Sequence, residues 1–321
     1  SGKLLVGYIT YEYGLKQMNI PINSFKGIPA VYFCAFDSSE KLSSSVKISI
    51  PKWEAFLPTI SKQTYRTNFK HIKNHILSGN FYQINYTHLL KSVADAPAKD
   101  LFYSFRERNQ VGYCAFFETE DWAIHSLSPE QFIKIENGVI TTKPIKGTIL
   151  TGNTIKEDQN NLNILLNCKK EQAELFMIID LLRNDLGKVC EAGSVKVLES
   201  KSLQKLEKVF HTYAKIQGTL KKTISPIEAL ISMLPGGSIS GCPKKRACEI
   251  IHELEPDPRG IYTGTIGYIL PDGTLNFNIA IRTVFQKQSE LTLGVGGGIT
   301  IDSAEIDEYE ETLAKAKSFQ P

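Results

Sequence analysis

Apolar residues recur at helical spacing in several stretches of the chain. Within residues 64–77, Phe69, Ile72 and Ile76 are three or four positions apart, and the pattern ends before a serine and a glycine. A longer amphipathic pattern covers residues 167–186 and predicts the strongest helix. Further helices are predicted at LFYSFRERN, IEALISML, KKRACEIIHEL and, near the end of the chain, IDEYEETLAKAKSF.

Runs rich in β-branched and aromatic residues predict strands between these helices. They read FYQINYTHLLKSV, YCAFFET, WAIHSL, QFIKIENGVITTKP, SVKVLE, KVFHTYAKIQGTL, GTIGYIL, LNFNIAIRTVF and ELTLGVGGGIT. Residues 3–36 indicate hairpins, residues 37–63 a loop with a short segment, and the polar, Asn-rich residues 149–166 a mobile loop. Long antiparallel-looking strand runs broken by helices favour an α+β fold over a βαβ array. Because no internal repeat or linker is visible, residues 1–321 are predicted to be a single domain.

Composition and charge exclude several classes of protein. The 321 residues are 42% hydrophobic and 22% charged, and the formal charge is +3, so no nucleic-acid partner is expected. The longest apolar runs are shorter than the ~18 residues that span a bilayer, which argues against a membrane protein. The six cysteines are scattered without a C-x-x-C pair, which favours a reducing, cytoplasmic location.

The stretch TTKPIKGT at 141–148 places Lys146 where a strand meets a bend. The β-branched run ends at proline and glycine, a pattern typical of a strand tip. Because lysine is mostly exposed in proteins, a surface position is the ordinary interpretation of Lys146.

Two pairs of glutamates could form a cation site. Glu171 and Glu174 are three residues apart on one predicted helix, and Glu308 and Glu311 repeat this spacing on the last helix, so each pair shares a face. Four carboxylates from two helices would suit Mg²⁺, which takes one or two carboxylates plus water and substrate oxygens. Solvated helix faces are the alternative interpretation.

Glycine-rich segments, an arginine and a histidine are further candidates. GVGGGIT (294–300) and PGGSISGCPKK (235–245) fit neither a dinucleotide fingerprint nor a P-loop, which disfavours a nucleotide-binding protein. Triple glycine could let backbone N–H groups approach a carboxylate, although a tight turn is equally compatible. Arg282, inside the predicted strand FNIAIRTVF, could bind a carboxylate or form an internal salt bridge. His211 could be a core or a site residue.

A resemblance to a known family combines these signals. The stretches SLSPEQF, KPIKGT, DLLRNDLGKVCEAGSVKV, PGGSISGCPKKRACEIIHELEPDPRGIYTGTIGY, IAIRT and GGGITIDSAEIDEYEETLAKA occur in the order typical of chorismate-utilising enzymes. The chain resembles this family from about Gly79 to its C-terminus. The resemblance implies an anthranilate synthase component I-like fold, with two large antiparallel sheets packed as a sandwich flanked by helices. It also implies chorismate as substrate, Mg²⁺ as cofactor, and ammonia supplied by a glutamine amidotransferase subunit.

The family motifs assign a role to each candidate residue. By resemblance, Glu174 and Glu311 bind magnesium, with Glu171 and Glu308 beside them in direct or water-mediated roles. Lys146, Glu130 and His211 are the implied catalytic residues. The implied substrate-binding residues are Arg282, Tyr262, Gly297, Gly298, Lys315, Ser238, Thr148 and Gln83.

Two positions indicate a branch of the family. P-I-K-G-T is similar to the aminodeoxychorismate synthases, in which the lysine is thought to attack C2 of chorismate while the C4 hydroxyl leaves and ammonia then enters at C4. That role requires a neutral amine, whereas lysine is protonated at neutral pH. Glu130 resembles the acid that protonates the departing hydroxyl. Gln83 stands where water-using relatives carry a lysine, and glutamine cannot act as a base.

Two other functions stay open within the resemblance. An anthranilate synthase component I would direct the same chemistry to C2, and a catalytically silent subunit would only bind chorismate. The intact set of Lys146, Glu174, Glu311 and Arg282 argues against a silent subunit. The chain departs from the family after PIKGT, where it reads ILTGNTIKED, and its N-terminal portion (about 1–63) is expected to be a shortened one packed onto the catalytic domain.

Overall fold

A computed structural model describes residues 2–22, 25, 27–41, 50–205 and 209–321. The strands of this part of the chain are β1 (Leu4–Ile9), β2 (Val31–Phe36), β3 (Leu57–Pro58), β4 (Gln83–Val93), β5 (Tyr113–Glu118), β6 (Trp122–Ser128), β7 (Gln131–Glu136), β8 (Val139–Lys143), β9 (Ile145–Leu150), β10 (Lys196–Lys205), β11 (Val209–Thr219), β12 (Gly241–Cys242), β13 (Thr265–Ile269), β14 (Leu275–Ile279), β15 (Thr283–Lys287) and β16 (Glu290–Ile299). The helices are α1 (Tyr11–Gln17), α2 (Lys62–Leu77), α3 (Ala98–Arg108), α4 (Ile155–Asn167), α5 (Lys169–Val189), α6 (Pro226–Ser232), α7 (Lys244–Leu254) and α8 (Glu305–Lys315), with 3₁₀ turns at Gly237–Ile239 and Lys317–Phe319.

The strands form two antiparallel sheets. The nine-stranded sheet has the order β10-β11-β8-β7-β14-β13-β1-β2, with β9 also paired to β11. The seven-stranded sheet has the order β12-β4-β16-β15-β6-β5, with β3 paired to β4. The predicted α+β class and the two-sheet architecture are therefore confirmed.

One large apolar core joins the two sheets to the helices. Its buried members include Phe277 on β14, Ile84 on β4, Ile72 on α2, Ile178 on α5 and Ile251 on α7. Helix α2 begins at Ser61, whose hydroxyl accepts the N–H of Thr64 at 3.0 Å. None of the helices in the described ranges is long and apolar enough to cross a membrane.

The predicted strand around Arg282 is wrong. Strands β14 and β15 are separate and belong to different sheets, and Arg282 lies in the segment that joins them. Its backbone has a φ of 49°, in the left-handed region, where the chain leaves one sheet for the other. Glu130 occupies a similar position, between β6 of one sheet and β7 of the other. Both side chains therefore lie where the two sheets meet.

The predicted mobile loop at 149–166 is also wrong, because this segment contains the end of β9 and helix α4. Thr154 caps the helix by accepting the N–H of Glu157 at 3.2 Å. Leu165 is the one buried residue of α4, so the helix carries little of the apolar periodicity that predicts helices. A Cβ at Gly147 would lie 2.9 Å from Leu165 Cδ1, which shows that α4 packs against β9 next to Lys146.

Two further expectations need correction. The predicted N-terminal hairpins contain helix α1, because buried Tyr11 and Leu15 stand one helical turn apart. Residues 42–49, part of the predicted loop at 37–63, lie outside the described residues. GVGGGIT does not form a tight turn: its first six residues lie in β16, which pairs with β4 over its whole length.

Candidate active site

Lys146 projects from a peptide that is fixed on both sides. The Thr212 hydroxyl donates to the Lys146 carbonyl oxygen at 2.8 Å, and the Gly147 N–H donates to Glu171 Oε2 at 2.8 Å. Gly147 has a φ of 51°, and a Cβ there would lie 2.6 Å from Thr212 Oγ1. Glycine is therefore required at this bend, and the backbone of Lys146 has little freedom to move.

The Lys146 side chain points into the protein, so the surface interpretation is wrong. Its side chain is 15% exposed, and Nζ lies 3.5 Å from Glu174 Oε2. The Gln83 amide donates to the same oxygen at 3.2 Å. Residues from the two sheets (β9 and β4) and from helix α5 thus meet at one carboxylate oxygen.

Three of the four predicted carboxylates lie beside β16, and Glu171 lies beside β9 at Gly147. A Cβ at Gly298 would be 3.3 Å from Glu174 Oε2 and 2.4 Å from the Gln83 amide nitrogen. A Cβ at Gly297 would be 3.3 Å from Glu308 Oε2 and 3.9 Å from Glu311 Oε1. The two glycines therefore let helices α5 and α8 bring their carboxylates close to the strand.

Each carboxylate accepts a hydrogen bond or ion pair through one of its oxygens. Glu171 accepts from Gly147 N–H, and Glu174 accepts from Gln83 and forms an ion pair with Lys146. Glu308 Oε1 accepts from Lys170 at 2.8 Å and Ser303 at 2.6 Å, and Glu311 Oε1 pairs with Lys315 at 2.8 Å. The other oxygen of each carboxylate has no hydrogen-bond partner within the described part of the chain.

The pKa values of two of the four glutamates, Glu171, Glu174, Glu308 and Glu311 (the glutamate quartet), shift in opposite directions. Burial raises the pKa of Glu174, although Lys146 opposes the change. Burial would also raise the pKa of Glu311, but Lys315, Lys170 and Lys146 outweigh it, so the pKa of Glu311 lies below its ordinary value. Glu311 therefore keeps its charge more readily than Glu174.

These residues are chemically suited to hold Mg²⁺. Carboxylate oxygens are the ligands that this ion prefers, and it usually takes one or two of them and completes its shell with water and substrate oxygens. Over the described ranges, no group of three or more His, Cys, Asp and Glu side chains is placed to hold a metal ion by itself. A Mg²⁺ held by Glu174 and Glu311, with Glu171 and Glu308 beside them, would therefore take its other ligands from water and substrate.

Glu130 and Ser238 form a buried pair. The Ser238 hydroxyl donates to Glu130 Oε1 at 2.6 Å, and Glu130 is 5% exposed. Burial raises the pKa of Glu130 to about 7, against the opposing effects of Ser238 and Lys146. The carboxyl is therefore partly protonated near neutral pH, as a general acid requires.

His211 and Arg282 form a polar group next to β9. The imidazole Nδ1 of His211 and the hydroxyl of Thr148 share a hydrogen bond of 2.7 Å, and Nε2 is buried without a partner in the described part of the chain. Burial and the nearby Arg282 lower the pKa of His211 to about 4, so the imidazole is neutral. Burial lowers the pKa of Arg282, whose guanidinium forms no ion pair with a described residue. A half-buried guanidinium without an ion-pair partner favours binding of an anion.

Two predicted substrate-binding residues, Lys315 and Tyr262, contact other groups of the protein. The Lys315 ammonium is engaged by Glu311 and by the carbonyl oxygen of Gly296, at 2.8 Å each. The Tyr262 ring packs against β16 at Gly294, where a Cβ would lie 2.1 Å from the ring. Tyr262 and Lys315 therefore support β16, and their predicted contacts to substrate stay predictions.

Sequence reasoning missed Lys170, Ser303 and Thr212. Lys170 and Ser303 hold Glu308, and Thr212 holds the backbone of Lys146. The position of Lys170 directly before Glu171 was the one available signal. Ser303 and Thr212 carry no distinguishing pattern, because their roles come from tertiary contacts.

Comparisons with known proteins agree with this site. The pattern of the chorismate binding enzymes matches residues 5–321. The chain is 31% identical to aminodeoxychorismate synthase component 1 of Bacillus subtilis, covering 98% of this chain and 76% of that protein. It is 38% identical to anthranilate synthase component 1 of Pseudomonas aeruginosa, covering 83% and 54%.

A solved structure supports the fold. The structure of anthranilate synthase component I from Streptococcus pneumoniae superposes with a TM-score of 0.86 at 27% identity, covering 99% of this chain and 80% of that one. The chain spans between 33% and 76% of the length of the first curated relatives it matches. The family pattern, the fold and the site geometry agree, and the chain belongs to the chorismate binding enzymes.

Proposed function

We propose that the chain aminates chorismate at C4 with ammonia and forms 4-amino-4-deoxychorismate, the precursor of para-aminobenzoate and folate. The enzyme is a Mg²⁺-dependent cytoplasmic transferase of the aminating class, and its ammonia comes from a glutamine amidotransferase subunit. The observation that carries the proposal is the position of Lys146, buried beside Glu174 within the P-I-K-G-T motif.

Arg282 is the principal anchor for the substrate. Its guanidinium is half-buried and has no ion-pair partner in the described part of the chain, so a substrate carboxylate would supply the missing anion. The N–H groups of Gly297 and Gly298, together with Tyr262 and Lys315, are further candidates to hold chorismate. Neutral His211, which shares a hydrogen bond with Thr148, lies beside Arg282 and can contact the ring without adding charge.

Lys146 and Glu130 divide the chemistry of the first step. After the Lys146 ammonium has lost its proton to solvent, the amine attacks C2, the ring double bond shifts, and the C4 hydroxyl leaves as water with the proton of Glu130. Ammonia then attacks C4, the double bond shifts back, the Lys146 amine leaves C2, and the new C4 ammonium returns a proton to Glu130. Ser238 holds the Glu130 carboxyl in place during these steps.

Glu174 and Glu311 would hold the Mg²⁺, with Glu171 and Glu308 beside them. A bound Mg²⁺ would neutralise the negative charge that these glutamates and a substrate carboxylate bring together. Gln83 stays bound to Glu174 and supplies no base, which disfavours activation of water as a nucleophile.

Amination at C2, as in an anthranilate synthase, is the second candidate. The chain is 38% identical both to the Pseudomonas aeruginosa anthranilate synthase component 1 and to a chloroplastic aminodeoxychorismate synthase of Arabidopsis thaliana, so identity does not separate the two. Lys146 separates them by the family resemblance, which implies alanine at this position in anthranilate synthases.

The proposal is tested by incubating the purified chain with chorismate, MgCl₂ and ammonium chloride. Chromatography with mass detection should reveal aminodeoxychorismate in the wild type and a rate at least about a hundredfold lower in Lys146→Ala. Fluorescent anthranilate would favour the second candidate. Full-rate formation of aminodeoxychorismate by Lys146→Ala would rule out covalent catalysis.

A further inference from the structure

We infer that Lys146 is the internal counter-ion of the cation site. Its ammonium is paired with Glu174, and it must leave Glu174 when a divalent cation binds there. Binding of the cation would then release Lys146, the proposed nucleophile, into the space between the two sheets that Arg282 and Glu130 border. The inference rests on the proposed function, because it concerns the same lysine and the same carboxylates.

The shared atom is Glu174 Oε2. It receives the Lys146 ammonium at 3.5 Å and the Gln83 amide at 3.2 Å, and the Glu174 side chain is only 8% exposed. An ammonium and a divalent cation a few ångströms apart repel each other strongly in a site that excludes water. Gln83 is neutral and can stay. Lys146 therefore has to move when Glu174 accepts a cation.

The two other lysines that pair with glutamates of the quartet, Lys315 and Lys170, are held differently. Lys315 donates to the Gly296 carbonyl as well as to Glu311, so its ammonium has a second acceptor. The Lys170 side chain is 38% exposed and can turn towards solvent when Glu308 binds elsewhere. Lys146 has neither option, since its side chain is 15% exposed and bonds only to Glu174 within the described ranges.

The fixed backbone directs where Lys146 can go. Thr212 and Glu171 hold the two sides of its peptide unit, and Leu165 of α4 packs against Gly147. The strand tip cannot swing away with its side chain, so only side-chain rotation remains. Release from Glu174 then moves Nζ within the cleft, towards the region that Arg282 and Glu130 border, where substrate would lie.

Calorimetric titration with MgCl₂ tests the competition directly. Lys146→Met keeps the length of the side chain and removes its charge, so it should bind Mg²⁺ at least about tenfold more tightly than the wild type. Lys143→Met is the matched control, because Lys143 lies at the end of the neighbouring strand β8 over the Tyr213 ring, away from the quartet. It should bind Mg²⁺ like the wild type. Should Lys146→Met fold poorly, Lys146→Gln replaces it.

Chemical labelling of the wild type tests the movement itself. Trace acetylation, analysed by peptide mass spectrometry, should increase severalfold at Lys146 relative to Lys143 when MgCl₂ is added, and NaCl of equal ionic strength should not have this effect. A Mg²⁺ affinity of Lys146→Met within twofold of the wild type, or an unchanged labelling ratio at saturating Mg²⁺, would overturn the inference. Either result is distinct from failure of the proposed function, which would be absence of an aminated product.

Discussion

Replacement of Glu130 by glutamine should change both stability and turnover, each in a pH-dependent way. Glu130 is buried, and burial moves the pKa of its carboxyl from 4.5 to about 7. This difference corresponds to about 3 kcal/mol between the folded and unfolded states. The glutamine introduced by Glu130→Gln would keep the shape of the side chain and could still accept the Ser238 hydroxyl through its amide oxygen, but it would not ionise.

The direction follows from which state binds the proton. Between pH 4.5 and about 7, the unfolded chain has lost this proton and the folded chain still holds it, so wild-type stability falls as pH rises through this window. Glu130→Gln escapes the loss. Relative to the wild type, the variant should therefore gain about 2–3 kcal/mol in free energy of unfolding between pH 5 and pH 8.

Urea unfolding of both proteins at pH 5 and pH 8 measures this gain, and a difference that does not change with pH would refute the assigned burial of Glu130. Wild-type turnover should decline above about pH 7, and Glu130→Gln should lose about 10²- to 10⁴-fold in rate because it has no proton to donate. Glu12→Gln is the matched control. Burial also raises the pKa of Glu12 to about 7, but Glu12 accepts the Gly260 N–H away from the quartet. It should reproduce the change in stability and leave the pH profile of turnover unchanged.

Three further predictions test separate parts of the site. Gly298→Ala should displace Gln83 from Glu174, lower turnover at least about tenfold and reduce the free energy of unfolding in urea by about 1 kcal/mol. In the control Gly187→Ala, on helix α5, the added methyl group meets nothing within 4 Å, so stability should be unchanged or higher and turnover unchanged. Asp185→Ala should lower the free energy of unfolding in urea by about 3–5 kcal/mol, because it leaves Lys244 (side chain 11% exposed) without its ion-pair partner. Asp180→Ala, which removes the exposed Asp180–Arg183 pair, should lower it by less than about 1 kcal/mol. Equal losses would contradict a structural role for the buried pair. Arg282→Met should raise the KM for chorismate about thirtyfold, which corresponds to the loss of about 2 kcal/mol of charge-assisted binding. Arg183→Met, which changes an exposed arginine, should leave this KM unchanged. An unchanged KM in Arg282→Met would exclude Arg282 as the substrate anchor.

The sequence predicted those parts of the site that depend on local periodicity. The spacing of Glu171 with Glu174, and of Glu308 with Glu311, places each pair on one helical face, and α5 and α8 have this form. The predicted end of a strand corresponds to the end of β8 at Lys143, but Lys146 lies at the start of the next strand, β9. These features depend on neighbours a few residues away, and such neighbours are visible in the pattern of the chain.

Features that depend on the meeting of the two sheets were not accessible in this way. The run LNFNIAIRTVF keeps an apolar residue at every second position from Leu275 to Ile281, through β14 and into the crossover, so nothing in its pattern marks the change of sheet at Arg282. Helix α4 was missed because it buries one side chain. The contact of Lys146 with Glu174 joins a strand of one sheet to a helix, and only the resemblance to the family placed these residues in one site.

The most direct measurement of the central claim is the product that the purified chain forms from chorismate, MgCl₂ and ammonium chloride, compared between the wild type and Lys146→Met. The site predicts 4-amino-4-deoxychorismate from the wild type and almost none from the variant, with the fold of both confirmed by unfolding curves. Anthranilate from the wild type, or aminodeoxychorismate from the variant at an undiminished rate, would contradict Lys146 as the nucleophile of a C4 amination.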